Sequence, residues 1–204
     1  MTSYRSDIAF TETVKQEQEK RGSRRGYQKA MEKRDWPDEV SEELVKFIAA
    51  RDSFYFATAS ADGQPYIQHR GGPKGFLKVI DKKTLGFADF SGNKQYVSLG
   101  NISENGKAHI FLMDYENAQR IKIWGTARFV EDDPDLMEKL VVPGYKARPE
   151  RAILFEIKAW DVNCPQHIPR KYSTETVGLA TAKLTERIKT LEAEVTRLNE
   201  KLQG

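Results

Sequence analysis

The residues with the clearest chemical potential lie between positions 66 and 101, where strand-like runs are interrupted by glycine-containing turns. A cation stands at each interruption: Arg70 precedes two glycines, Lys78 lies in a short apolar run, and Lys94 follows a Ser-Gly-Asn turn. Turns of this kind expose backbone N–H groups, and fixed cations beside such groups suit a phosphate. Solvated surface charge is the alternative for each cation alone. Together they indicate a site for a phosphorylated ligand.

The chain offers little material for a metal site or a nucleophilic centre. It has three histidines (His69, His109 and His167) and a single cysteine, which is a poor ligand set for zinc, so we expect no metal. A nucleophilic Cys164–His167 pair is one interpretation of CPQHIPR. The other is a proline-stiffened clip after the last strand, with Cys164 as a small buried filler. We also predict that four polar residues of this segment line a substrate pocket: Cys164, Gln166, His167 and Arg170.

Composition restricts the class of protein. Of 204 residues, 39% are hydrophobic and 31% charged, and the net charge is only +3, which gives no general argument for nucleic-acid binding. No apolar run approaches the roughly 20 residues of a membrane helix, and the N-terminus lacks the apolar region of a secretory signal. We therefore expect a soluble cytoplasmic protein that binds neither nucleic acid nor membranes.

The N-terminal residues 1–50 predict a helical extension. Residues 8–33 have a very polar helical pattern, which Gly22 and Gly26 weaken in the middle. After a Trp-Pro break, Asp38 is expected to cap a second helix with one apolar face.

Residues 51–172 have the pattern of a barrel. β-Branched and aromatic runs are separated by turn signals, and two short helical stretches interrupt them. The pattern gives six or seven strands, mostly in consecutive hairpins. It predicts a mainly β fold with peripheral helices, of the α+β class, built on an antiparallel barrel.

The last segment, 173–204, has a different period. Its apolar residues are spaced four and three apart, which is a heptad seam with β-branched residues at two a positions and leucine at every d position. This pattern favours two parallel strands, in which Arg187 attracts Glu192 of a partner. An amphipathic helix packed on its own barrel is the alternative. The seam residues are Leu184, Ile188, Leu191, Val195, Leu198 and Leu202.

Residues 53–131 resemble the pyridoxamine 5′-phosphate oxidase-like superfamily of split-barrel flavin proteins. The blocks QHRGGP and GNKQY carry the resemblance most specifically, and the N-terminal helix and the CPQHIPR clip extend it over most of residues 8–172. The resemblance implies a homodimeric, six-stranded antiparallel split barrel that binds FMN in a groove between subunits. We expect the C-terminal helix to add to that dimer.

The resemblance also implies a set of cofactor contacts. Lys78 falls at the family's strand lysine and Arg70 lies near its strand arginine, while Lys94 matches the last residue of the phosphate-gripping run. Arg120 stands where the family often has a glutamine, and a cation there would favour reduced anionic flavin. The expected cofactor-binding residues are Gln68, His69, Arg70, Lys78, Phe87, Ala88, Asn93, Lys94 and Arg120.

The resemblance leaves the reaction open. The oxidase's C-terminal substrate motif is not recognisable in DVNCPQHIPRKYS, so we expect an FMN-dependent oxidoreductase that acts on another small molecule, with NAD(P)H as a candidate donor. The alternative is a non-catalytic flavin or haem carrier, with His69 or His167 as an axial ligand. A deazaflavin in place of FMN and a pure assembly scaffold are the remaining interpretations.

Overall fold

The structure is a computed structural model that describes residues 3–162 and 164–203. The chain divides into two compact units: Met1–Asp114 with Gln119–Pro165, and Tyr115–Ala118 with Gln166–Gly204. Among the described residues, no helix has both the length and the apolar character needed to cross a bilayer.

The N-terminal part of the first unit consists of short helices. Gly22 has a φ of 76°, in the left-handed region, and interrupts the predicted helical stretch 8–33. Ser41 caps α3 by accepting a hydrogen bond from the Leu44 N–H at 3.2 Å. The prediction of an Asp38 cap was therefore wrong, because the Asp38 carboxylate pairs instead with Arg5 and Lys83. The elements are a 3₁₀ helix (Arg5–Ile8), α1 (Glu12–Lys20), α2 (Arg24–Lys33) and α3 (Glu42–Ala49).

The rest of the first unit is a seven-stranded sheet whose pairings are all antiparallel. The strands follow the spatial order β2-β1-β5-β6-β7-β4-β3. The mainly β, antiparallel prediction is confirmed, although there are seven strands rather than six, since the two-residue β3 counts as one. The strands are β1 (Ser53–Ala59), β2 (Pro65–Gly71), β3 (Lys78–Val79), β4 (Thr84–Phe90), β5 (Lys107–Asp114), β6 (Gln119–Val130) and β7 (Pro149–Val162). Two helices accompany the sheet, α4 (Val97–Asn105) and α5 (Pro134–Leu140).

Alternation along the strands builds one main core. Phe54 and Phe56 of β1 meet the Phe87 ring of β4 edge-on, with ring centroids 5.1 and 5.6 Å apart. Burial of each such ring contributes about 1.5–3 kcal/mol. At the β6–β7 bulge, Gly125 brings the two backbones together, and a side chain there would overlap the Glu156 carbonyl and the Phe155 ring.

The second unit consists of the Tyr115–Ala118 turn and the chain from Gln166, which contains α6 (Thr174–Gln203). Glu116 of the turn accepts hydrogen bonds from the residues that precede and begin α6. Its carboxylate accepts hydrogen bonds from the Ser173 N–H at 2.6 Å and from the Thr176 hydroxyl at 3.0 Å, and its carbonyl accepts one from Arg170. These contacts fix the first turn of α6.

Candidate functional site

A cleft of about 200 Å³ lies in the first unit, next to the edge strand β2. It is bordered by the inward face of β2, the end of β4, the 91–96 segment, the first turn of α4 and the start of β7. β2, the continuous stretch 89–99 and the start of β7 are distant from one another in sequence, and the sheet topology brings them together.

The register of β2 decides which of its side chains reach the cleft. Gln68 and Arg70 pair with Phe56 and Phe54, which point into the core. In an antiparallel pair, opposite residues share a face, so Gln68 and Arg70 also point inward. His69 has the opposite parity and lies exposed on the other face.

At the centre of the cleft, two guanidinium groups share one buried carboxylate. Arg70 Nη1 donates to Asp89 Oδ1 at 2.5 Å, and Arg151 Nη1 donates to Asp89 Oδ2 at 3.3 Å. The side chains of Arg70 and Asp89 are 14% and 12% exposed. Asp89 and Arg151 face each other directly across the β4–β7 ladder, which explains how the pair is held.

Further contacts fix the orientation of Arg151. Its guanidinium donates to Glu131 at 3.2 Å and to Glu150 at 3.4 Å, and the guanidinium carbon, Cζ, lies 5.4 Å from the centroid of the Tyr96 ring. Side chains held by several partners lose little entropy when a ligand binds, so Arg151 is preorganised.

The Nε donor of Arg70 is buried beside the Nη1 donor that binds Asp89. Within the part of the chain that the structure describes, the buried Arg70 Nε has no hydrogen-bond acceptor. Leaving a buried, charged donor unsatisfied is costly, and an anionic oxygen would remove that cost. This observation points to a ligand with acceptor oxygens.

The segment before α4 supplies backbone donors and a further cation. Lys94 and Tyr96 have φ values of 58° and 54°, both left-handed, which shape a tight turn directly before the helix. Among the described residues, no side chain caps the N-terminus of α4. The N-terminus of a helix is an anion-binding element, because its N–H groups and its dipole both favour negative charge.

The charges that border the cleft leave a positive excess. Three cations (Arg70, Lys94 and Arg151) face two carboxylates (Asp89 and Glu150). Neutral hydrogen-bonding side chains also line the cleft, and two of them are paired: the Ser98 hydroxyl donates to the Gln68 side-chain oxygen at 3.1 Å. The arrangement is suited to a small anion with several acceptor oxygens.

Four of the nine predicted cofactor-binding residues lie together in this cleft: Gln68, Arg70, Asn93 and Lys94. The other five lie elsewhere. His69 packs edge-on against Tyr55, and Lys78 stands on β3 opposite Gly86. Arg120 lies on β6, with its own buried Nε lacking a partner among the described residues.

Phe87 and Ala88 are packed into the protein interior and do not border the cleft. Phe87 belongs to the main core and lies 5.9 Å from the Arg70 guanidinium carbon, whereas Ala88 packs in a second cluster near α5. Phe87 is therefore a core residue whose ring lies near the Arg70 guanidinium.

The four predicted substrate-pocket residues are all exposed. Cys164 is a free, exposed thiol, so the expectation of a small buried filler was wrong. Gln166, His167 and Arg170 belong to the second unit, and the cleft is lined by residues of the first unit alone. The pocket assigned to these four residues stays a prediction.

Asp89 and Arg151 were missed at the sequence level. Arg151 opens the run RAILFEI, which gives no sign of its own that this arginine faces a carboxylate 62 positions earlier. Only the β4–β7 register reveals it. A buried acidic residue at the end of an apolar strand, as in LGFADF, was the one available signal.

The sequence also matches a known family. A family model described as pyridoxamine 5′-phosphate oxidase matches residues 40–164. The chain belongs to the pyridoxamine 5′-phosphate oxidase family. The matched range includes every residue that borders the cleft, since β2, β4, α4 and the start of β7 all fall within it.

Solved structures of this oxidase-like fold resemble the chain. A tagged HupZ protein of Group A Streptococcus has a TM-score of 0.50 and 21% identity, covering 65% of this chain and 99% of that one. An FMN-binding protein of Syntrophomonas wolfei subsp. wolfei has a TM-score of 0.46 and 17% identity, covering 71% and 96%. No curated protein matches the sequence. The family match and the HupZ likeness show that the fold is the split barrel of the oxidase family.

Proposed function

We propose that the protein binds FMN with the phosphate in the cleft at Arg70, and that it acts as an FMN-dependent oxidoreductase on a small molecule. Family membership and the cleft together support this proposal. The observation that carries it is the pair of guanidinium groups on Asp89, with one buried Arg70 donor unpaired among the described residues.

The residues present fit the phosphate end of a flavin nucleotide. Arg70 and Arg151 offer fork-shaped donors, Lys94 offers an ammonium, and the first turn of α4 offers backbone N–H groups. Asp89 fixes both guanidinium groups before the ligand arrives, so little reorganisation is needed on binding.

The size of the cleft limits what it holds. Its volume of about 200 Å³ is below the 300–1,000 Å³ typical of sites for drug-sized ligands and cofactors. The ring system of the flavin must therefore extend beyond it. This agrees with the proposal of a homodimer in which a second copy covers the rest of the nucleotide.

FMN supplies the hydride chemistry when bound. The chain's part is to hold the phosphate and to set the charge around the ring. We assign the latter role to Arg120, whose buried Nε has no partner in the described residues. The substrate is a small molecule, and NAD(P)H is the candidate donor.

Calorimetric titration of the purified protein with FMN and with riboflavin tests the binding. Hydrogen bonds to charged groups contribute about 1.5–3 kcal/mol each, so loss of the phosphate is expected to weaken binding at least about 100-fold. Equal affinities for FMN and riboflavin would contradict the proposed phosphate site.

Turnover separates an enzyme from a carrier. The FMN-loaded protein is expected to oxidise NADH or NADPH when an electron acceptor such as a quinone or nitro compound is present. Tight FMN binding without reduction by either nicotinamide would favour the flavin carrier instead.

A further inference from the structure

The α6 helix carries an exposed apolar stripe. All six seam residues are exposed, from 42% for Leu191 to 84% for Leu202. No residue of the described helix is buried. A stripe of this length on a 30-residue helix exceeds the scattered apolar exposure that soluble proteins tolerate.

We propose that α6 pairs with α6 of a second copy of this chain, in parallel and in register. The seam sets the contact: Ile188, Val195 and Leu202 occupy a positions, and leucines occupy the d positions between them. β-Branched residues at a with leucine at d select two parallel strands.

The charges beside the seam favour the parallel alignment. There, Arg187 at position g of one helix faces Glu192 at position e of the other, and twofold symmetry makes this pair twice. The next g–e′ pair joins Glu194 to the neutral Asn199. Like charges do not meet at these g–e′ positions.

The same charges oppose the antiparallel alignment. When two helices are aligned antiparallel over the six seam residues, Arg187 of one helix faces Lys201 of the other. Glu194 of one helix then faces Glu194 of the other. This alignment also brings Glu192 against its own copy. Each of these contacts is repulsive, so the sequence selects one orientation by penalising the other.

Disulfide trapping in the full-length chain tests the pairing. Cys164, the only native cysteine, is first replaced (Cys164→Ser), and Val195→Cys then places one thiol in the seam. At an a position of a parallel pair, the two Cβ atoms come close enough for a disulfide. Ala193→Cys, at the outer f position, is the matched control.

In a glutathione redox buffer, the 195 variant is expected to form at least about tenfold more intermolecular disulfide than the 193 variant. Equal, low yields at both positions would overturn the pairing. This readout does not depend on flavin, so it fails or succeeds separately from the proposed phosphate site.

Charge reversal then tests the orientation. In the Val195→Cys background, Arg187→Glu is expected to lower the disulfide yield severalfold, because a carboxylate would then face Glu192 on both sides of the seam. Adding Glu192→Arg is expected to restore the yield. An unchanged yield with Arg187→Glu, or no recovery when Glu192→Arg is added, would contradict the parallel alignment, because only that alignment brings residue 187 against residue 192 of the other copy.

Discussion

Replacement of Arg70 by glutamine tests the cleft most informatively. The change removes the guanidinium that donates to Asp89 at 2.5 Å, together with the unpaired Nε donor. Glutamine is shorter and uncharged, but it keeps an amide donor on the inward face of β2. The cleft is left with two cations, Lys94 and Arg151.

The magnitude follows from the strength of a charged hydrogen bond to the phosphate. A hydrogen bond from a charged donor to an anion contributes about 1.5–3 kcal/mol, and each 1.4 kcal/mol is a factor of ten in affinity. We therefore expect Arg70→Gln to weaken FMN binding by about 10- to 150-fold. Riboflavin has no phosphate, so its affinity should change by less than about threefold.

Calorimetry with both ligands gives the ratio of the FMN affinity to the riboflavin affinity. A general loss of folded protein lowers both affinities alike and leaves this ratio unchanged. Lys82→Gln is the matched control, because it removes an exposed cation outside the cleft. Circular dichroism checks that each variant is folded. The reasoning would be refuted if the Arg70 variant lost equal affinity for FMN and riboflavin, or none for either.

Three further predictions concern stability. Burial, with a smaller contribution from the Lys122 ammonium, lowers the pKa of His109 to about 4. The unfolded histidine titrates near 6.5 and so binds a proton first as the pH falls, which should lower the free energy of unfolding by on the order of 3 kcal/mol between pH 6.5 and 4. In urea unfolding, His109→Gln should flatten this dependence on pH. Gly125→Ala should lower stability by about 3 kcal/mol or more, because its Cβ would overlap the Glu156 carbonyl; an unchanged melting temperature would contradict the close approach. Ser41→Ala should cost about 1 kcal/mol by removing the α3 cap, whereas Ser41→Asp should retain most of it.

Local patterns were sufficient to predict most of the fold. Alternation and turn residues indicated an antiparallel barrel, since strand period and turn chemistry are properties of neighbouring residues. Gly22 divided the first helical stretch as its weakness had suggested. Asp38 shows the limit: it has the right type for a cap, but distant partners, Arg5 and Lys83, bind its carboxylate.

The site was predicted only in part, for a related reason. Gln68, Arg70, Asn93 and Lys94 stand in two recognisable blocks, and they do meet in one cleft. Arg151 comes from a strand that pairs with β4 across a long stretch of chain, and that register is not encoded locally. Non-local pairing also decides that Asp89 ends up between two guanidinium groups.

The most direct test is the crystal structure of the protein with FMN. The proposal predicts that the phosphate lies in the cleft, with its oxygens within hydrogen-bond distance of Arg70 Nε and of the Arg151 guanidinium. A flavin bound with its phosphate elsewhere, while Arg70 Nε stays unpaired, would contradict the central claim.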